Sequence, residues 1–260
     1  MRPFPALLVA ALALALLFLT IPVVAIFANT APGDLLDSLG DPSARDALRL
    51  SFETSAIALA IVVVVGTPAA YWLATHRFKG RGLVITLLEL PLVLPPAVAG
   101  IALLAALGPK GILGGAGPDL VLTTAGVVTA LTFVAAPYYL RQAQEAFAAV
   151  DPRLREASRT LGASEARTFW RVAIPVARSG LLAGGALALG RALGEFGATL
   201  MFAGSFRGVT QTVPLAIYER FATDFTGALA LSAVLVAVSA ALLVSVKLLG
   251  RPWPAAHAAR

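Results

Sequence analysis

Long apolar stretches alternate with short polar ones along the whole chain. The apolar runs lie at 6–28, 52–75, 84–107, 120–140, 180–203 and 226–248. About 20 mostly apolar residues are enough for an α-helix to cross the hydrocarbon core of a bilayer. The pattern therefore predicts an all-α membrane protein with six transmembrane helices.

The same pattern divides the chain into three parts. Residues 1–47 hold the first helix and an external loop, 48–249 form the transmembrane core, and 250–260 form a short cytoplasmic tail. The start of the chain resembles a signal peptide, but the apolar run continues to Phe27. Signal peptides have about 7–15 apolar residues, so we expect the first helix to be retained.

Two segments depart from a simple helical span. The third span contains three prolines in 91-PLVLPPAVAG-100, which remove backbone donors and kink or break a helix. The kink serves either packing or a transport pathway that Pro95 and Pro96 would line. The segment 204–225 mixes apolar and polar residues, so it either dips into the membrane or lies on its surface.

Basic residues are concentrated in every second polar segment. With a cytoplasmic N-terminus, the cytoplasmic segments hold Arg2, Arg77, Lys79, Arg81, Arg141, the cluster from Arg153 to Arg178, Lys247, Arg251 and Arg260. The external segments hold only Arg45, Arg49, Lys110, Arg207 and Arg220. Cytoplasmic loops are enriched in lysine and arginine, so both termini are expected in the cytoplasm.

Composition agrees with this topology. The chain is 58% hydrophobic and 13% charged, whereas soluble domains are about 45–50% apolar and about 25% charged. The net charge of +6 reflects the basic cytoplasmic segments, so no nucleic-acid partner is expected. The chain has no cysteine, which excludes disulfides and cysteine-ligated metals; we expect no metal site.

The fifth span holds two charged residues, Arg191 and Glu195, one helical turn apart. Such a pair can meet on one helix face, and charges inside a bilayer usually face protein or a cavity. The pair is either an internal ion pair that fixes helix packing or a polar element beside a pathway. Thr199 follows one turn later as a further pathway candidate.

The charged segment 151–175 has the signals of an ordered helical hairpin. Asp151 is a cap and Pro152 suits the first helical position. Leu154, Ala157 and Leu161 form one apolar stripe.

The end of this helix and the start of the next are also marked. Gly162 is placed to end the first helix, and Ser164 can cap a second helix that Pro175 ends or kinks. An ordered amphipathic helix outside the membrane suggests a surface that docks into a partner's groove.

The pattern Glu156-Ala157-Ser158, then Gly162, then 172-VAIP-175 resembles the EAA signature of ABC importer permeases. Ser158 replaces an alanine of that signature, and Val172 and Ile174 also differ from it. The resemblance implies the type I importer permease fold, with a coupling helix at about 152–162 that sits in a cleft of a cytoplasmic ATPase. The residues implied to couple are Arg155, Glu156, Ala157, Ser158, Leu161 and Gly162.

A second resemblance concerns the substrate. The stretches 191-RALGEFGATLMFAGS-205, 210-TQTVPLAIY-218 and 91–100 resemble the molybdate/sulfate group of permeases, and most of all its molybdate branch. Sulfate permeases tend to have GEYGS in the first stretch, while Ser205 stands where molybdate permeases have asparagine. The resemblance implies import of molybdate or tungstate, with sulfate or thiosulfate as the alternative.

The resemblance also implies the partners. Two copies of the chain would form the pathway, an ATPase dimer would bind ATP-Mg, and an extracytoplasmic protein would deliver the oxyanion. No GxxxxGK[ST] loop is present in the sequence, so the chain itself is not an ATPase and needs no cofactor of its own. We expect it in a bacterial or archaeal cytoplasmic membrane.

Three other classes of protein fit the sequence less well. An intramembrane enzyme needs a nucleophile–base pair or metal ligands in a span, but the only histidines are His76, at a helix end, and His257, in the tail. An ion-coupled secondary transporter would use Glu195 as a proton site and work without ATP. A purely structural subunit would not need the spacing of the docking helix.

Overall fold

The computed structural model describes residues 3–114 and 119–249, and all regular elements in these ranges are helical. They are α1 (Pro3–Ala28), α2 (Pro32–Gly40), α3 (Pro42–Thr75), α4 (Arg81–Val93), α5 (Pro96–Leu107), α6 (Thr124–Ala148), α7 (Pro152–Thr160), α8 (Glu165–Thr168), a π-helical turn (Phe169–Ala173), α9 (Ile174–Leu193), α10 (Gly197–Ala203), α11 (Val213–Phe221) and α12 (Phe225–Leu249). The predicted all-α class is confirmed. The predicted tail, 250–260, lies outside the described residues.

Four described helices are long and apolar enough to cross a membrane, and a fifth span is formed if α4 and α5 count as one. The four are α1, α3, α12 and the continuous helix Glu165–Leu193. The remaining predicted span corresponds to α6, which is less apolar than these helices. It has 25 residues, so at 1.5 Å per residue it is about 37 Å long, more than the hydrocarbon thickness.

The core is built around α6, which packs against α3, α4, α5, α9 and α10. Its Tyr139 and Phe147 are fully buried, so α6 needs less lipid-facing apolar surface than the outer helices. Small residues let α6 come close to its neighbours. A Cβ added at Gly180 of α9 would lie 2.4 Å from the Cβ of Ala146, and one at Gly66 of α3 would lie 2.9 Å from the Tyr139 ring.

The first helix stands apart from this core. The apolar stretch of α1 has no buried residues and packs mainly against α12. Side chains that face the outside of a membrane protein meet lipid, so a uniformly apolar surface is what such a helix needs.

The third span is broken rather than kinked. The helix axis bends by 118° between α4 and α5. Pro91 stays inside α4, whereas Pro95 precedes α5 as its N-cap and Pro96 occupies its first turn. Proline has no N–H to donate to the preceding turn, so two in succession end one helix and suit the start of another.

The predicted fifth span, 180–203, is wrong as a single helix. Helix α9 ends at Leu193, and α10 begins at Gly197 after a short break. At its other end, α9 continues back through the π-helical turn to Glu165, so Pro175 does not end the second helix of the hairpin. The ring of Pro175 would clash with the carbonyl of residue 171 in a regular helix, and the wider π turn accommodates it.

Two short helices near the predicted external face were not foreseen. Helix α11 lies within the ambiguous segment 204–225 and packs its buried Val213 and Ala216 against Ala44 of α3. The backbone N–H of Val213 donates to Ser51 Oγ at 2.7 Å. Helix α2 packs against α3 and α12. The segment 204–225 is thus folded against the ends of the spans.

Candidate functional site

Helix α7 begins and ends as the sequence predicts. The Asp151 carboxylate accepts a hydrogen bond from the backbone N–H of Arg153 at 2.9 Å. At the other end, the N–H of Gly162 donates to the Arg159 carbonyl at 2.9 Å, and that of Ala163 to the Ser158 carbonyl at 3.1 Å. This pair of bonds closes a Schellman motif, whose residue after the cap adopts a left-handed conformation. Gly162 has φ +80°, and a Cβ there would meet no atom within 4 Å.

Helix α7 turns its apolar face outward and its polar face inward, the reverse of a helix that packs on its own protein. Leu154 is 45% exposed and Leu161 is 88% exposed, and Ala157 lies between them on the same exposed stripe. The inner face is polar: the Ser158 hydroxyl lies 2.9 Å from the Thr168 hydroxyl, and Arg155 is half-buried. We call Leu154, Ala157 and Leu161 the docking stripe, because the described part of the chain leaves their apolar face uncovered.

Ser158 explains one departure from the family signature. Alanine would leave the Thr168 hydroxyl without this partner inside the hairpin, and Thr168 is fully buried. A buried hydroxyl without a hydrogen bond costs free energy. The serine therefore joins the two arms of the hairpin.

Glu156 and Arg155 line a pocket of about 310 Å³ between α7 and the C-terminal end of α3. Thr75 and His76 form its other side. The Arg155 Nε atom is enclosed and has no hydrogen-bond partner among the described residues. The predicted coupling residues thus divide into the exposed docking stripe, the inner Ser158, the pocket residues and the glycine turn.

Aromatic rings join the hairpin to the helical core. The Phe169 ring, in the π-helical turn, lies 4.8 Å from the ring of Tyr71 in α3. It lies 6.2 Å from the ring of Phe147 in α6, and the rings of Tyr71 and Phe147 are 5.3 Å apart. A close-packed cluster transmits displacement rather than absorbing it. The cluster is thus a packed contact between the hairpin and both α3 and α6.

The two broken spans meet inside the predicted membrane region. A Cβ at Gly197 of α10 would lie 2.8 Å from the Cβ of Pro96 in α5. A Cβ at Gly100 would lie 2.7 Å from the backbone oxygen of Ala198. The structure therefore brings the predicted pathway candidate Pro96 close to the break that follows Arg191. Irregular backbone at this depth is tolerated where protein covers it or where it lines a water-filled cavity.

Arg191 and Glu195 form the predicted ion pair, although Glu195 lies in the break rather than on the helix face. The Glu195 side chain is fully buried and that of Arg191 is 24% exposed. The second carboxylate oxygen of Glu195 accepts a hydrogen bond from the backbone N–H of Ala198 at 2.6 Å. Glu195 thus ties the end of α9 to the start of α10.

The remaining pathway candidates differ in exposure. Pro95 and Pro96 are exposed, whereas Thr199 is fully buried and its hydroxyl has no partner among the described residues. Neither Thr199 nor Glu195 reaches solvent in one copy of the chain.

An ion network near the predicted external face was missed from the sequence. Arg220 of α11 contacts the carboxylate of Asp41, which precedes α3, and donates to Ser43 Oγ at 2.6 Å. Asp224 lies 3.8 Å from the same guanidinium. The backbone N–H of Ser43 and the nearby Arg220 lower the pKa of Asp41 below its ordinary value, against the opposing effect of burial. Asp41 and Arg220 are 179 residues apart, so no local signal joins them.

Comparisons with known proteins identify the class of the chain. The family described as binding-protein-dependent transport system inner membrane component matches residues 63–251. The molybdenum transport system permease protein ModB of Mycobacterium tuberculosis is 40% identical over 235 residues, which cover 89% of each chain. The sulfate transport system permease protein CysW of a Synechocystis strain is 33% identical over 239 residues, 89% of this chain and 87% of that one.

A solved structure shares the fold. A bacterial alginate ABC transporter, in complex with an alginate-bound periplasmic protein, contains a chain that superposes with a TM-score of 0.73 at 18% identity. The match covers 95% of this chain and 93% of that one. The resemblance to ABC importer permeases is thus confirmed by family, relatives and fold. The chain belongs to the family of binding-protein-dependent transport system inner membrane components, and it is a multi-pass permease subunit rather than an enzyme.

Proposed function

We propose that the chain is the permease subunit of an ATP-driven importer for molybdate or tungstate. The main observation in support of the mechanism is the uncovered docking stripe on an ordered, capped hairpin, because this stripe offers a binding surface to an ATPase. The proposed substrate is taken from the relatives, because the molybdenum permease is more similar to the chain than the sulfate permease. Molybdate and tungstate are left together because their charge, shape and size are nearly the same.

The proposal includes a division of labour among partners. Two copies of the chain form the pathway about a two-fold axis, as in most homodimers. Two ATPase subunits bind ATP-Mg in the cytoplasm, and an oxyanion-binding protein delivers the dianion outside. The proposed orientation is inferred from the distribution of basic residues, which favours a cytoplasmic location for the hairpin at 151–175 and for both termini.

In this mechanism α7 is the mechanical contact. Closure of the ATPase dimer on ATP displaces the docking stripe, and the capped, glycine-ended helix moves as a unit. The Phe169–Tyr71–Phe147 cluster passes this displacement to α3 and α6. The pathway then changes from inward-open to outward-open by rigid-body motion, which is one of the known modes of such transitions.

The broken spans are the proposed pathway region. Pro95 and Pro96 are exposed beside the start of α10, so they are available to a pathway at a dimer axis. Arg191 and Glu195 are assigned to packing, because the buried carboxylate offsets the arginine charge and holds α10. Thr199 is fully buried in α10, shortly after that break.

Transport in proteoliposomes tests the proposed function. The full complex, reconstituted with its ATPase and binding protein, should take up labelled molybdate only with ATP. Excess tungstate should block this uptake, and excess sulfate should leave it nearly unchanged. Sulfate inhibition would instead assign the chain to the sulfate branch. Uptake without the ATPase would make it a secondary transporter and overturn the proposal.

The docking stripe makes a separate prediction at Leu161. Replacing Leu161 with serine should weaken binding of the ATPase to the permease about tenfold or more, because burying a leucine contributes about 1.5–3 kcal/mol. Titration of the ATPase onto the permease in nanodiscs measures this change. Ile112→Ser is the matched control, because Ile112 is 90% exposed in the predicted external loop. Equal affinities for Leu161→Ser and wild type would contradict the docking role.

A further inference from the structure

A pocket of about 230 Å³ opens between α2, α11 and the start of α12. We call it the acidic pocket. Its carboxylates come from Asp34 and Asp37 of α2, from Asp41 and from Asp224. Among the described lining residues Arg220 supplies the one basic group, and Arg207, outside the lining, lies 3.8 Å from Asp41. Asp41 and Asp224 contact Arg220. Asp34 and Asp37 form no ion pair within the part of the chain that the structure describes.

A second observation points to a ligand in this pocket. Ser38 follows Asp37 directly in the sequence and lines the same pocket. It is only 8% exposed, and its hydroxyl has no hydrogen-bond partner among the described residues. A buried hydroxyl without a partner is costly, which favours an incoming donor.

Several acidic groups near one another repel, and a cation placed among them relieves the repulsion. The pocket is smaller than the about 300–1,000 Å³ of ordinary small-molecule sites. In the described residues, no group of three or more histidine, aspartate or glutamate side chains is arranged to hold a metal ion. A single long cationic side chain therefore fits better than a small ligand or a metal.

We propose that the acidic pocket receives a lysine or arginine of the oxyanion-binding protein when that protein docks on the external face. The ammonium or guanidinium group would pair with Asp34 and Asp37 and donate to the Ser38 hydroxyl. This proposal rests on the proposed function, which supplies the partner and the orientation. Carboxylates in the pocket would repel a free dianion and attract a cationic side chain of the protein that carries it.

The pocket is placed to respond to docking. Arg220 belongs to α11, which follows the break between α9 and α10, and it holds α11 to the turn before α3. A cation that enters among these carboxylates competes with Arg220 for Asp41 and Asp224. Docking would thus loosen the contact between α11 and α3 at the external end of the spans.

The test uses the complete transporter in nanodiscs and measures ATP hydrolysis. The quantity of interest is the concentration of molybdate-loaded binding protein that gives half-maximal stimulation. The double variant Asp34→Asn, Asp37→Asn should raise this concentration about tenfold at low salt, because surface charge pairs control encounter. The increase should shrink in about 0.5 M salt, where charges are screened within a few ångströms. The variant Asp37→Lys should raise the half-maximal concentration further. Basal hydrolysis without binding protein should stay unchanged in all variants.

The matched control removes two charges elsewhere on the predicted external face, with Asp46→Asn and Asp119→Asn. A shift as large in this control would show that overall charge acts, and would overturn the acidic pocket. An unchanged half-maximal concentration in the Asp34, Asp37 variant would also overturn it. A wild-type transporter that no binding protein stimulates would instead overturn the proposed function.

Discussion

Replacing Gly162 with valine should reduce ATP-driven molybdate uptake about 5–30-fold while the chain still folds into the membrane. Gly162 has φ +80°, a conformation that costs other residues about 1–2 kcal/mol, and a β-branched residue suits it least. The Schellman motif that ends α7 would open or shift, and the docking stripe would lose its fixed position. One or two kcal/mol changes a two-state population by the stated factor. Uptake and ATP hydrolysis, measured together in proteoliposomes, show whether the two become uncoupled.

Gly80→Val is the matched control for this prediction. Gly80 also has positive φ, +85°, and a Cβ there would also meet no atom within 4 Å, but it is the N-cap residue of α4 and does not belong to the hairpin. Backbone strain is therefore similar in the two variants, and only Gly162→Val disturbs the hairpin. Normal uptake in Gly162→Val, or an equal loss in Gly80→Val, would contradict the role given to α7.

Replacing Glu195 with alanine should destabilise the chain by about 3–5 kcal/mol, because it leaves the charge of Arg191 without its partner. It also removes the acceptor for the Ala198 N–H, so α10 would lose its tie to α9. At about 2–4 °C per kcal/mol for a chain of this size, the thermal midpoint in detergent should fall by about 10 °C. A thermal shift assay followed by size-exclusion chromatography measures this midpoint.

Two further variants distinguish packing from a pathway role. Glu145→Ala breaks the Arg141–Glu145 pair, whose side chains are both 61% exposed, and should cost less than about 1 kcal/mol. The double variant Arg191→Met, Glu195→Gln removes both charges and keeps the acceptor, so it should recover most of the stability and the uptake. Recovered stability without uptake would place Arg191 in the pathway and contradict the packing assignment.

The coupling hairpin could be predicted from sequence because its signals are local. Asp151, Gly162 and Ser164 each act on backbone groups within a few residues, and each makes the contact that its type predicts. The outward direction of the docking stripe was also implied, since a cytoplasmic helix with one apolar face needs a cover. The hydrogen bond of Ser158 inside the hairpin could not be predicted, because its partner Thr168 follows ten residues later across a turn.

The geometry of the spans was harder to predict. Prolines marked the break before α5, but hydropathy does not predict the angle between two helices. The 118° bend depends on where α5 packs. The break between α9 and α10 has no proline, and its residues are apolar apart from Glu195. There the buried Glu195 carboxylate accepts a hydrogen bond from a backbone N–H in the first turn of α10. Hydrophobic periodicity does not reveal such a contact. The contact between Asp41 and Arg220 joins residues far apart in the chain and needed the fold itself.

The π-helical turn at Phe169–Ala173 sets the angular phase between the hairpin and the membrane span. A regular helix turns about 100° per residue, so one residue added to or removed from 163–171 would rotate the hairpin by about that angle relative to α9. The extra residue of the π turn is already part of this phase. The number of residues between Gly162 and Val172, which is nine, therefore helps to set this angle, in addition to what their side chains contact.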